Sequence, residues 1–531
     1  MKNTLEEKAT PSPFEKILSE AAIPQAAAPN NLLGVCSIQD FSKSLGNHNA
    51  DLKHTHEDAL GFYKYLYQWY TANFYYKDEN VKTWLYEEPN DHWQNYYGID
   101  AVDVFYHSGH GNMTSKGVFQ APSGNMWNNE TWIFSDHNML LANQRLRYIF
   151  WSTCFSCRVL NGLSPITTWW NDDSNPGFRM LFGFETTSVD SPDYGSNFWN
   201  HYKAGEPFST AWLNASWDIS HNQAPSVVAS GATQAEATNI LMNEKLFQWA
   251  TVARNWYQWR WYFAAAMAAP NKTLPKEMLI AELAPFEVDH AKIGKLANQL
   301  GFSGKAVDGF GISKEGTYVL DEGEKKITLN QQGHFNAKLA SINFENRSQL
   351  DQNKAQQLAE QYIREHTGKD TELQFHAIRL GKTCGGGTKG SGELDKEYVT
   401  DTTVEFRQVI NGVPVINTDN GVVRVTIDND GTITNFHNSV KKVLNLSNKP
   451  KEISIDPNRN GHALETQAQQ TERLFRSKLS EYKTENAKPV VNEVGYDISG
   501  LHGSLSEKHE YEVTFENDLK KLIQVTVPIF A

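Results

Sequence analysis

Short apolar runs alternate with amphipathic stretches in the first half of the chain. Four apolar runs have the length of buried strands, at 32–38, 100–106, 147–151 and 178–184. Residues 58–74 repeat aromatic and leucine side chains every three or four positions, which predicts an amphipathic helix, and 196–216 predict another. Strands that alternate with helices favour an α/β fold with a mostly parallel sheet flanked by helices.

The second half of the chain has a different pattern. Residues 226–268 still predict helix, and Pro270 and Pro275 predict a linker. Helices are then predicted at 291–300, 353–367 and 463–482. Alternating apolar and polar positions predict strands among them, at 317–320, 326–329, 404–409, 422–427, 510–515 and 522–529. A helix followed by a meander of strands, more than once, predicts α+β modules.

These patterns predict a chain of several domains, as a length of 531 residues also suggests. The predicted segments are an N-terminal extension at 1–30 with a helix around 14–22, an α/β domain at 31–268, a linker at 269–288, a small α+β module at 289–347, and two further α+β modules at 348–445 and 446–531. All 15 tryptophans lie between Trp69 and Trp261, so the two halves differ in construction.

Charge and hydropathy exclude some classes of function. A net charge of −13 argues against a nucleic-acid binder, which would present basic surface. The absence of an 18-residue apolar run argues against a transmembrane helix. Residues 1–31 contain no apolar stretch of the kind a secretory signal needs. We therefore expect a protein that is either cytoplasmic or secreted after processing or by another route.

Two of the predicted strands lead into chemically active side chains. The strand at 100–106 runs into a loop that contains His107, His110 and Gly111, and the strand at 147–151 runs into Cys154 and Cys157. If the strands are neighbours in a parallel sheet, both loops leave at the same edge. A cysteine nucleophile needs a base and oxyanion donors. We predict Cys154 as nucleophile, His110 as base, and the N–H groups of Gly111 and Cys154 as oxyanion donors.

Two alternatives to catalysis stay open for these residues. His107, His110, Cys154 and Cys157 together offer two nitrogens and two sulfurs, which is a plausible tetrahedral zinc set. The site is otherwise expected to need no cofactor. A buried cysteine also packs well as a small apolar side chain. The same fold would therefore also serve as a non-catalytic binding or scaffold protein.

The two loops carry a resemblance to a known family. Residues 106–111 resemble the His-Gly block of the caspase-like cysteine peptidases, which include caspases, metacaspases, legumain and gingipains. Residues 152–158 are similar to the cysteine block of metacaspases. The resemblance implies a caspase-like fold in which Cys154 is the nucleophile and His110 the general base. Cys157 departs from the family pattern, which usually has glycine there, and Ser152-Thr153 precede Cys154 where many members have Asp-Ala.

The resemblance covers roughly residues 31–265. The stretch from Gly183 to Trp212 is similar to an uncharacterised bacterial caspase-like family with the same order of blocks. It implies a thiol endopeptidase, or a related acyl-transfer enzyme, that acts on a polypeptide substrate.

A second resemblance lies in the other half of the chain. Residues 404–415 and 423–431 are similar to the cystatin-like propeptide module of thermolysin- and fungalysin-type proteases, which is related to PepSY domains. In those families the module inhibits an attached protease. The chain has no His-Glu-x-x-His zinc motif, which argues against a metalloprotease of that type. The resemblance therefore implies that the C-terminal modules contact the catalytic domain and restrain the Cys154 site.

Overall fold

The computed structural model describes residues 32–87, 96–135, 139, 145–158, 176–248, 250–288, 290–303, 311–312, 316–367, 371–387, 395–447, 467–482 and 486–529. The predicted extension at 1–30 and its helix lie outside these residues. The helices described are α1 (Ser42–Leu45), α2 (Thr55–Leu66), α3 (Tyr194–Lys203), α4 (Phe208–Trp217), α5 (Gln234–Asn243), α6 (His290–Gln299), α7 (Gln352–His366) and α8 (Gln467–Ser480). In the described ranges, no helix combines the length and the apolar character that crossing a bilayer would require.

The strands of the first half are β1 (Leu32–Ser37), β2 (Thr71–Lys77), β3 (Val104–Ser108), β4 (Asn112–Met113), β5 (Phe119–Trp127), β6 (Glu130–Phe134), β7 (Tyr148–Ser152), β8 (Pro176–Gly177), β9 (Met180–Phe184), β10 (Pro225–Gly231), β11 (Val252–Ala253) and β12 (Trp256–Met267). Those of the second half are β13 (Ile280–Leu283), β14 (Gly311–Ile312), β15 (Tyr318–Asp321), β16 (Lys326–Leu329), β17 (Phe335–Lys338), β18 (Leu373–Gly387), β19 (Tyr398–Ile410), β20 (Val413–Pro414), β21 (Val422–Asp428), β22 (Ile433–Asn438), β23 (Val443–Ser447), β24 (Asn486–Asp497), β25 (His502–Thr514) and β26 (Lys520–Pro528).

The first half is built on a mostly parallel sheet. Strands β2, β1, β3, β7 and β9 lie side by side in that order, and each neighbouring pair is parallel. Strands β10 and β12 extend the sheet in antiparallel orientation. The predicted strands at 32–38, 100–106, 147–151 and 178–184 correspond to β1, β3, β7 and β9, so the α/β prediction is confirmed for this region.

Helices cover one face of this sheet. Phe150 on β7 stacks on Phe182 on β9, with ring centroids 4.0 Å apart. Phe62, Phe198 and Trp212, on α2, α3 and α4, pack against Phe150. Full burial of such side chains is worth about 1.5–3 kcal/mol each. This aromatic layer therefore anchors the helices to the sheet.

The opposite face of the sheet packs against a small separate sheet and against C-terminal elements. Trp151 on β7 packs against Phe119 on β5, which pairs with β4 and β6 in a small separate sheet. Phe475 on α8 and Ile523 on β26 belong to the same apolar cluster. The C-terminal part of the chain is thus packed directly on the sheet that carries the candidate residues.

The large sheet continues into the second half of the chain. Strand β12 pairs with β18 along most of its length, from Trp256 opposite Gly387 to Met267 opposite Ala377. Strands β19, β21, β22, β17, β16, β15 and β14 follow in that order. A second sheet contains β23, β13, β25, β24 and β26. The whole fold is therefore a mixed α/β arrangement that is rich in strands.

A helix followed by antiparallel strands occurs three times in the second half, as the pattern predicted. Helix α6 precedes β15, β16 and β17; α7 precedes β18, β19, β21 and β22; and α8 precedes β24, β25 and β26. The predicted linker at 269–288 is more than a connection, because it contains β13, which pairs with both β23 and β25.

Three helix predictions were wrong in extent or type. Residues 226–268 form β10, α5 and β12 rather than continuous helix, because an apolar aromatic run does not by itself distinguish a buried strand from a buried helix. The helix predicted over 58–74 ends at Leu66, and β2 follows and pairs with β1. The helix predicted over 196–216 is two helices, since Gly205 has a φ of 84° and Pro207 caps α4.

Candidate functional site

The two predicted loops leave neighbouring strands at the same edge of the sheet. Ser108 at the end of β3 lies opposite Ser152 at the end of β7, and the strands are parallel. His110 and Cys154 each follow two residues later. A Cβ added to Gly111 would lie 2.6 Å from the carbonyl oxygen of Cys154. The loops are therefore in contact, and the predicted arrangement of β3 and β7 is confirmed.

His110 is fully buried and carries one ring nitrogen without a partner. Its Nε2 lies 2.9 Å from the carbonyl oxygen of Ala50. A carbonyl only accepts, so Nε2 carries the hydrogen and Nδ1 is left with a lone pair. Nδ1 has no hydrogen-bond partner among the described residues. Burial, aided by the positive charge of Lys521, lowers the pKa of His110 to about 3, which keeps the ring neutral.

Cys154 is also fully buried, and its sulfur lies among backbone groups. The N–H of Ser188 donates to Sγ at 3.2 Å, and the Ser188 hydroxyl lies 3.4 Å from it. The thiol in turn reaches the carbonyl oxygen of Lys520 at 3.1 Å. No hydrogen bond joins Sγ to His110, whose Nδ1 is unpartnered in the described structure. The two candidate residues thus lie on adjoining loops, and no hydrogen bond joins them among the described residues.

The turn that presents Cys154 has an unusual backbone. Phe155 has a φ of 59°, in the left-handed region that side chains other than glycine rarely adopt. The turn is held by the strand beside it, because Phe155 N–H donates to Thr186 O and Cys157 N–H donates to Phe184 O. Strained residues of this kind cluster at functional sites. Its position directly after Cys154 agrees with a functional role for that residue.

The N–H groups of Gly111 and Cys154, predicted as oxyanion donors, lack an acceptor among the described residues. Neither the N–H of Gly111 nor that of Cys154 donates a hydrogen bond to any part of the described chain. Unpaired N–H groups in a buried loop are uncommon. Two such groups on adjoining loops, beside a thiol, suit the stabilisation of a developing negative charge on oxygen.

Replacing Gly111 with alanine is expected to disrupt this geometry. The new Cβ would meet Cys154 O at 2.6 Å and the Thr153 Cβ at 2.9 Å, so one loop must move. We expect a loss of about 1–3 kcal/mol in the free energy of unfolding, as for other overpacked sites. Urea unfolding measures this loss. Gly500→Ala is the matched control, because a Cβ there meets nothing within 4 Å; equal losses in both variants would contradict the close contact.

A buried carboxylate binds the end of β3 to the neighbouring helices. Asp58 on α2 accepts hydrogen bonds from Tyr106 Oη at 2.6 Å, Ser108 Oγ at 2.7 Å and Gly195 N at 2.9 Å. Burial raises the pKa of Asp58 to about 6 although these donors favour the charged form. The carboxylate therefore links β3 to α2 and α3 close to the point where the chain enters the His110 loop.

The segment Phe515–Leu522, called here the covering segment, lies across the site. The Phe515 ring stacks edge-on against His110 at 4.9 Å. Asn112 Nδ2 donates to Asp518 O at 3.4 Å. Leu522 N–H donates to Ser188 O at 3.0 Å, and Asp190 N–H donates to Leu522 O at 2.9 Å. The covering segment therefore adds a short stretch of parallel strand to residues 188–190.

The covering segment also brings a cation into the site. Lys521 is buried, and its Nζ lies 3.0 Å from the hydroxyl of Ser188. Ser188 thus links Lys521 to the sulfur of Cys154. Neither Ser188 nor Lys521 was predicted as a site residue from the sequence. Ser188 follows β9, the next parallel strand beyond β7, so the rule that sites form at the carboxyl ends of parallel strands would have indicated it.

The zinc alternative receives no support from the geometry. His107 turns its Nδ1 to Tyr86 Oη at 2.8 Å. Burial, and to a lesser degree the charge of Glu185, raises the pKa of the Cys157 thiol well above its usual value, which disfavours the thiolate that zinc requires. Where the chain is described, ligand atoms converge in two other groups, at His221, His376 and Glu405 and at Asp40, His48 and Asp51.

Comparison with known proteins places the site within one region of the chain. Residues 36–263 match the model of a family described as a domain of unknown function (DUF6345). No curated protein and no solved structure matches the chain. The matched region runs from β1 to β12 and contains His110, Gly111, Cys154 and Ser188. The candidate site therefore lies wholly inside the part of the chain that is similar to this family.

Proposed function

We propose that this protein is a cysteine endopeptidase, or a closely related acyl-transfer enzyme, of the caspase-like type. Cys154 is the nucleophile, His110 the general base, and the N–H groups of Gly111 and Cys154 the oxyanion donors. The C-terminal part of the chain holds the enzyme closed through the covering segment. The substrate is a polypeptide.

One observation carries this proposal. A stretch of peptide lies beside the thiol, with Lys520 O 3.1 Å from the Cys154 sulfur and Leu522 paired to residues 188 and 190. An extended substrate would bind in the same way, by backbone hydrogen bonds to residues 188–190. The thiol donates a hydrogen bond to the Lys520 carbonyl oxygen, so the sulfur meets the oxygen of this carbonyl group. A nucleophile would have to meet the carbonyl carbon. The covering segment thus occupies the site without being aligned for cleavage.

The chemistry follows from the arrangement of the two loops. His110 Nδ1 takes the thiol proton, and the sulfur forms a bond to the scissile carbonyl carbon. The N–H groups of Gly111 and Cys154 hold the oxygen that becomes negative. His110 returns the proton to the leaving amine as the C–N bond breaks, and water then hydrolyses the thioester. Departure of the covering segment removes Lys521, whose charge lowers the pKa of His110, and so improves the base.

Labelling of the full chain with iodoacetamide under native conditions tests the proposal. We expect mass spectrometry to find the label on Cys154, and Cys154→Ala to abolish it. His110→Ala is expected to slow labelling about 100-fold or more, the lower range for loss of a general base. Burial raises the pKa of the Cys384 thiol to about 12, so this cysteine stays unlabelled.

Cys157→Ala is the matched control, because Cys157 is equally buried in the same turn. It should leave the labelling of Cys154 unchanged. Equal labelling of Cys384 and Cys154, or no labelling of a folded chain after prolonged incubation, would contradict the enzyme proposal.

The second candidate is a non-catalytic binding protein with the same fold. It is favoured by the lack of a hydrogen bond between His110 Nδ1 and the Cys154 sulfur and by the complete burial of both residues. In that case the covering segment is permanent structure, and a folded chain with an opened segment would still lack peptidase activity against denatured casein.

A further inference from the structure

A large cavity lies between the two halves of the chain, apart from the Cys154 site. Its volume is about 620 Å³, within the range of small-molecule sites. One wall is formed by α4, α5 and β12, and the other by β16, β17, β18, β21 and β22. The lining holds seven lysines and arginines against four aspartates and glutamates, although the chain as a whole carries a net charge of −13. The cavity is therefore a basic site in an acidic protein.

Three buried arginines line the cavity, and they differ in their partners. Arg424 is paired with both Asp218 and Glu405. Arg260 is paired with Asp401 at 3.0 Å. Two of the three cations are thus neutralised by carboxylates of the chain itself.

The third arginine, Arg379, has no such partner. Its side chain donates to Asn214 Oδ1 at 3.0 Å and Thr403 Oγ1 at 2.9 Å, and its guanidinium lies 3.7 Å from the Tyr262 ring centroid. No carboxylate lies within 4.0 Å of it in the part of the chain that is described, and its exposed fraction is 5%. Burial lowers the pKa of Arg379. The charge of Asp401 offsets part of this effect without a direct ion pair. A buried cation that lacks a direct ion pair is costly, so this site is suited to an anion.

Other polar atoms in the lining also lack partners. Nε of Arg260, Nε of Arg379, Nε2 of His437 and the hydroxyl of Thr328 are buried and make no hydrogen bond to any described residue. Arg260 Nε, Arg379 Nε and the Thr328 hydroxyl each carry a hydrogen that no described residue accepts. Asp401 Oδ2 is unpartnered as well.

Lysines from both halves of the chain meet at another part of the cavity. Lys245 Nζ donates to Gly205 O at 2.7 Å, and a Cβ on Gly205 would lie 2.3 Å from Lys326 Nζ. Burial lowers the pKa of Lys245, and the charges of Lys326 and Lys338 lower it further. Asp321 lies 3.7 Å from Lys326 Nζ and offsets part of this charge. The three lysines outnumber it, and like charges gathered in this way favour an anionic ligand.

We propose that this cavity binds a small organic anion with two or more phosphate or carboxylate groups. One group pairs with Arg379, and another with the lysine cluster of Lys245, Lys326 and Lys338. Because Lys245 precedes β12 while the other cations follow it, the ligand links the two halves of the chain. The site is independent of the thiol chemistry of Cys154.

Isothermal titration calorimetry of the full chain tests the proposal. Pyrophosphate and citrate are titrated separately at constant ionic strength. We expect at least one probe to bind with a Kd below about 1 mM, and the better probe identifies the charged group that the site prefers. The double variant Lys326→Gln/Lys338→Gln should weaken binding at least tenfold. Both lysines are partly exposed, so the fold should tolerate the change. Arg379→Gln should abolish binding.

Lys488→Gln is the matched control, because this exposed lysine of β24 is outside the cavity lining. It should bind the probe as the wild type does. Failure of both probes to bind below 10 mM would overturn the proposal. So would unchanged affinity in the double lysine variant, or an equal loss in Lys488→Gln, which would mark binding as a general charge effect. If Arg379→Gln does not fold, the affinity of the double lysine variant alone tests the proposal.

Discussion

Replacing Leu522 with alanine is expected to open the Cys154 site and to accelerate its labelling by iodoacetamide at least tenfold. Leu522 is buried against the helical face of the sheet, in the same apolar cluster as Val189. Truncation of a buried leucine costs about 2–5 kcal/mol. This loss weakens the docking of the covering segment, and each ~1.4 kcal/mol raises the population of the open state tenfold.

The rate of Cys154 labelling, followed by mass spectrometry, measures this effect. Leu501→Ala is the matched control, because Leu501 lies close in the chain but is exposed. It should label as slowly as the wild type. A Leu522→Ala protein that is less stable in urea but labels at the wild-type rate would show that the covering segment does not control access. Casein hydrolysis by the same variant distinguishes an enzyme from a binding protein.

Replacing Asp58 with alanine is expected to cause the largest loss of stability among single substitutions near the site. It leaves the hydroxyls of Tyr106 and Ser108 and the N–H of Gly195 buried without an acceptor. Removal of one partner from a buried charged network costs about 3–5 kcal/mol. Urea unfolding at neutral pH measures it. Glu79→Ala, at an exposed acidic residue, is the control and should change stability little.

The pH dependence of stability gives a second test of Asp58. Its pKa is about 6 in the folded chain and about 3.9 in an unfolded one. Between these values the folded chain retains a proton that the unfolded chain has lost, so stability falls as pH rises. Relative to Asp58→Asn, the wild type should lose about 2 kcal/mol between pH 4 and pH 7 and stay level above about pH 7. If the wild type instead became more stable relative to Asp58→Asn as pH rises, the raised pKa of Asp58 would be contradicted.

The parts of the fold that could be predicted depend on local pattern. Strands β1, β3, β7 and β9 are short apolar runs bounded by polar loops, and parallel pairing brought the His110 and Cys154 loops together as expected. The site residues could be named because a histidine and a cysteine each stand just beyond a strand. Placing these two residues near each other requires only that the two strands run in the same direction.

The remainder could not be predicted because it depends on contacts between distant parts of the chain. Lys520 lies 366 residues from Cys154 in sequence, and nothing in its local pattern marks it as a neighbour of the thiol. Strand β12 was mistaken for helix because its aromatic run is buried on both sides by strands far apart in the chain. The resemblance to propeptide modules implied restraint of the site but named no residue that provides it.

The pairing of β12 with β18 has a consequence for the boundary of the matched family region. That region ends at residue 263, inside β12, whose outer side is hydrogen-bonded to β18. A fragment that stopped there would present a row of unpaired N–H and C=O groups, which is a template for association with other chains. The second half therefore protects the sheet edge of the first half from such association.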